Sequence, residues 1–130
     1  MQVRESRLAR VINRSWLEQA DALIEVSVKY LYDHEAFIAG WCKEAYSTDI
    51  PNVMTSTIER LADDLERDIV AGTEANEIVC DDPVVTARLI VHAIDQTVVH
   101  DLIYARDRAR LGRRRVIAAA QQMARGMLSP

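Results

Sequence analysis

Proline and glycine are scarce here, three and four in 130 residues. A turn-rich β architecture needs more punctuation than that, and no stretch alternates apolar and polar residues long enough to read as a strand. The two cysteines, Cys42 and Cys80, lie far apart with no Cys-x-x-Cys spacing. That excludes a cysteine-based zinc or dithiol motif and leaves free thiols as the expectation in a reducing compartment. No apolar run is long enough to cross a bilayer, and the N-terminus lacks the basic, apolar, small-residue succession of a secretory signal. A cytoplasmic protein without membrane contact is therefore expected. Also missing are a Gly-rich phosphate loop, a His-Glu-x-x-His pair and a nucleophile elbow, so no metal, cofactor or catalytic machinery is expected. A net charge of −4 argues against a general nucleic-acid surface.

What is abundant is alanine, leucine, glutamate and arginine, which favour helix. The expectation is an all-α domain, a bundle of about five to six helices whose last two long helices form a four-helix dimer interface. Residues 3–12 form at most a short amphipathic helix. Ser15 and Glu18 fit a capping box opening a helix over 16–32. Asp33 is a plausible cap for a third helix from His34 to about Thr48, ended before Pro51. A fourth, from Val53 to Ala71, carries one stripe of Met54, Ile58, Leu61, Leu65 and Ile69, with Gly72 as its C-cap. Asp63, Asp64, Glu66, Arg67 and Asp68 read as its solvated back. The last helix, Arg114 to about Leu128, contains Val116, Ala120, Met123 and Met127, with alanines small enough to let another helix come close.

The stretch 84–105 organises the rest. Asp82 caps it and Pro83 sits where its missing N–H costs nothing. At about 100° per residue, one arc holds Val84, Ala87, Val91, Ile94, Val98, Leu102 and Ala105. A second holds Val85, Leu89, Ala93, Val99 and Ile103, with His92, Gln96 and His100 set into it. An outer helix needs one apolar stripe, so two imply cover on both sides, one by the domain and the other by a second copy of the chain. The polar trio either marks a partly wet face or lines a pocket. Tyr30, Phe37, Trp41 and Met54 stand on the helices expected to face it. The candidate ligand-binding set is thus Tyr30, Phe37, Trp41, Met54, His92, Gln96 and His100. The candidate dimer set is Ala87, Val91, Ile94, Val98, Leu102, Val116, Ala120, Met123 and Met127. His92 and His100 are separated by about 12 Å along a helix, too far to share one ion. The arginines at 106, 108, 110, 113, 114 and 115 read as a solvated turn answering Asp101 and Asp107, in preference to a phosphate contact.

Together, the Asp33-His34-Glu35 helix opening, the amphipathic helix closed by Gly72, the Asp82-Pro83 start of a long apolar helix and the short final helix resemble the C-terminal ligand-binding and dimerisation domain of TetR-family transcriptional regulators, over roughly residues 15–128. The resemblance implies a homodimer built by the last two long helices and a cavity enclosed by the earlier ones. It also implies a small hydrophobic or aromatic ligand that changes the spacing of two DNA-reading heads. The departure is that no helix-turn-helix domain stands in this sequence. Residues 1–14 correspond at most to a linking helix, residues 15–130 to the regulatory domain, and DNA would be met only through an N-terminal domain not present here. The function expected is a small-molecule-sensing, homodimeric regulatory domain of a TetR-like repressor, not an enzyme. The alternatives are a stand-alone dimerisation module without sensing and an enzyme using His92 or His100 as a general base.

Overall fold

A computed structural model describes residues 15–45, 53–105 and 109–130, with the backbone alone described at 41–45 and 53–56. The expected residue 1–14 linking helix lies outside the described residues. The described chain is all-α, with no strand: α1 (Trp16–Asp33), α2 (Glu35–Ala45), α3 (Val53–Glu74), α4 (Pro83–Val99) and α5 (Arg113–Leu128).

Local chemistry sets most of these boundaries. Ser15 Oγ accepts from the Glu18 amide at 3.2 Å, satisfying one of the free N–H groups that open α1. Asp82 Oδ1 does the same for Val85 at the start of α4, with Pro83 in the first turn. Three boundaries differ from expectation. Asp33 does not cap α2; it is the last residue of α1, and His34 alone separates the two helices. The His34 amide donates back to Tyr30 at 3.1 Å. Gly72 does not end α3, which runs on to Glu74, and the left-handed residue beyond it is Asn76 at φ 59°. Gly72 serves close packing instead: a Cβ there would stand 2.7 Å from Trp16 Cδ1 and 3.0 Å from Ile78 Cδ1. The long apolar helix is α-helical only to Val99. It then widens into one π turn, His100–Tyr104, and Ala105 is extended.

Ile24 and Val28 of α1, Ile38 of α2, Ile69 of α3, Ile90 and Val98 of α4 and Ala124 and Leu128 of α5 share one apolar core. The most extensive pairings are α3 against α4 and α1 against α5. The indole N–H of Trp16 donates to the Asp68 carbonyl at 2.9 Å, tying α1 to α3. On α5, Arg125 Nε donates to Asp21 Oδ2 at 2.9 Å and Gln121 Nε2 to the Asp21 carbonyl at 3.0 Å. The loop before α4 is fastened to the end of α5 by the Val79 amide, which donates to the Leu128 carbonyl at 3.0 Å. Among the described residues, no helix is long and apolar enough to cross a membrane.

Candidate functional site

The two arcs of α4 have distinct surroundings. Ala87, Ile90, Val98 and, just beyond α4, Leu102 are buried against the rest of this chain, Val98 completely. Val91 and Ile94 are half-buried. The arc assigned to a partner copy therefore lies mostly on the domain's own core. Of the nine candidate dimer residues, Ala87, Val98, Leu102, Val116 and Ala120 are buried within one chain. Val91, Ile94, Met123 and Met127 are half-buried. Helical periodicity reveals two apolar arcs but cannot say which of them α3 and α5 will cover.

The other arc looks outward. Val85 is 49% and Leu89 54% exposed, and Ala93, His92, Gln96 and His100 are exposed beside them. Val99 and Ile103, read from the same arc, are instead buried and half-buried. Tyr30 and Phe37 are 57% and 56% exposed on α1 and α2. Five of the seven candidate ligand residues thus stand in contact with solvent. The side chains of Trp41 and Met54 lie outside the described residues. Tyr30 instead stacks on His34, ring centroids 4.1 Å apart, and His100 meets Tyr104 at 5.8 Å. Near His92, burial pushes the Asp95 carboxyl above its ordinary range, with the His92 charge opposing that shift.

What the fold does build is an open groove of about 260 Å³ between α4 and α5. Ala93, Ile94 and Thr97 form one wall and Ala119, Ala120 and Met123 the other, with Arg115 and Leu111 also lining it. Four candidate dimer residues, Ile94, Val116, Ala120 and Met123, come together here. The groove has apolar walls of small residues and a single charged side chain, suited to packing contact more than to acid–base chemistry. Among the described residues, no cluster of three or more His, Cys, Asp or Glu is placed to hold a metal.

Beside Leu111 of the groove lies Asp101, expected to be answered by the turn arginines. Asp101, in the π turn, is 1% exposed. Its carboxylate accepts from the Tyr32 hydroxyl at 2.5 Å, the Leu111 amide at 2.7 Å and the Gly112 amide at 3.1 Å. Burial pushes the Asp101 carboxyl up, but these hydrogen bonds and the nearby Arg110 charge outweigh it and hold the group below its ordinary range. Tyr32 shifts the opposite way, raised well above a free phenol, by burial first and by Asp101 second. Arg110 bonds the Asp101 and Leu102 carbonyls at 3.3 and 3.0 Å and Glu35 on α2 at 2.5 Å, while Arg113 meets Asp33 at 3.0 Å. Arg110 and Arg113 therefore answer α2, α1 and backbone carbonyls, and the Asp101 carboxylate accepts from a phenol and two amides. Arg106, Asp107 and Arg108 lie outside the described residues. An aspartate interrupting a run of apolar helix was the available signal for Asp101; its partners, 69 and 10 residues away, were not. Compared with protein-family models, with curated proteins and with solved structures, the chain matches none.

Proposed function

We propose that this chain is a homodimeric regulatory domain of the TetR-like kind, cytoplasmic and without catalytic activity, that responds to a small hydrophobic or aromatic molecule and meets DNA only through a domain outside these residues. The observation that carries the dimer is the outward face of the last two long helices. Val85 and Leu89 stand exposed on α4 beside a groove walled by Ala93 and Ala119. A ridge next to a groove of small residues is self-complementary under a two-fold axis, where the same face meets itself. The seam proposed therefore runs through Val85, Leu89, Ala93 and Ala119. Sedimentation at micromolar concentration tests it: a dimer is expected for the native chain and a monomer for Leu89→Glu, and a native monomer rejects the reading.

The second reading, an interaction module that pairs but does not sense, is favoured by the exposure of Tyr30, Phe37, His92, Gln96 and His100. Thermal shift against planar aromatic and apolar compounds separates the two. A saturable rise in Tm supports the sensor; none across the panel, with dimerisation intact, supports the module.

A further inference from the structure

The Asp101 cluster joins four segments. Tyr32 comes from α1, Glu35 from α2 through Arg110, Asp101 from the π turn after α4, and Leu111 and Gly112 from the entry to α5. Losing one member of a buried, hydrogen-bonded carboxylate cluster leaves its partners unsatisfied, and fixing a register is the best-attested use of such a buried polar group. The register fixed here is that of α5 on α4. Leu111, whose amide Asp101 holds, also lines the α4–α5 groove with its side chain, and Arg115 lines it one turn further on. On the far side, Tyr32 and Glu35 lie two residues from the exposed Tyr30 and Phe37.

We propose that Asp101, with Tyr32, is a latch that carries displacements of the α1–α2 corner into the shape of the α4–α5 groove. Asp101 is here a positioning residue. It acts through the Leu111 and Gly112 amides, so a shift of Tyr32 reaches the groove through that carboxylate, while a shift of the Arg110–Glu35 pair reaches the same turn through the Asp101 and Leu102 carbonyls. The latch rests on the preceding reading only for what the groove is used for.

Amide NMR of the full chain tests it. Tyr32→Phe removes one hydroxyl and keeps the ring, so folding is retained even where Asp101→Asn loses it. Expected is faster exchange at Leu111 and Gly112, by about tenfold or more, together with shifted signals for Thr97 and Ala119 in the groove. Glu35→Gln should shift the same groove signals in the native background and much less beside Tyr32→Phe, because changes within one coupled network do not add, whereas independent contacts would. Shifts confined to Leu111 and Gly112, or fully additive shifts, overturn the latch. A monomeric native chain would remove the proposed dimer, and the groove signals would still decide the latch.

Discussion

Gly72 and Asp101 are the positions where single atoms decide most. At Gly72 two magnitudes compete. Alanine gains about 1 kcal/mol of helix propensity over glycine, but its Cβ would fall 2.7 Å from the Trp16 ring, and forced overpacking costs about 1–3 kcal/mol. The ring is held by its bond to the Asp68 carbonyl, so repulsion should win. Gly72→Ala is expected to lower the urea midpoint, and Trp16→Leu in the same chain should restore part of the loss. At Asp101 the carboxyl is held low in the folded state, so its contribution is present above the unfolded value of about 3.9 and fades as pH falls through the folded one. Tyr32 is held high, so its contribution is present below about 10 and is lost as pH rises further. Denaturation across pH should therefore show Asp101→Asn destabilised by about 3 kcal/mol at neutral pH with a flattened acid limb, and Tyr32→Phe with a flattened alkaline one. Unchanged limbs would contradict the assignment.

Among the elements, what was legible follows from what is local. The caps Ser15 and Asp82 bond amides three residues on, so spacing alone predicts them. The ends of α2 and α3 were less legible because the deciding contacts are distant: Asp33 is drawn to Arg113 on α5, and Gly72 is required by a tryptophan 56 positions earlier in the sequence. The π turn falls in the same class, since Asp101 makes its bonds there to Tyr32 and to the start of α5. The two apolar arcs of α4 were both visible in the periodicity, but which of them the domain itself covers was not: the arc through Ala87, Val98 and Leu102 is core, and Val85, Leu89 and Ala93 on the other are exposed. A paired substitution makes that difference measurable. Val98→Glu buries an unpartnered charge in a fully covered site and should unfold the chain, whereas Leu89→Glu should leave the helical circular dichroism intact and act only on association. Loss of helix in both variants would return Leu89 to the core.

For the whole molecule, the all-α class was legible because scarce glycine and proline and strong three- and four-residue periodicity agree with one another. The exposure of the candidate ligand residues was not, because it depends on which helix lies beside which, and Tyr30, Phe37 and His92 stand exposed.

The seating of α1 against α5 also has a consequence for biosynthesis. The side chain that fastens α1, Asp21, closes on Arg125 across 104 positions, and Leu128, near the end of the sequence, is almost wholly interior. During translation, α1 emerges long before the segment that shelters it, and its apolar flank must wait in water or with a chaperone until the final helix leaves the ribosome. Nascent chains stalled before Arg125 should therefore be cut readily by added protease, and released full-length chains should resist it.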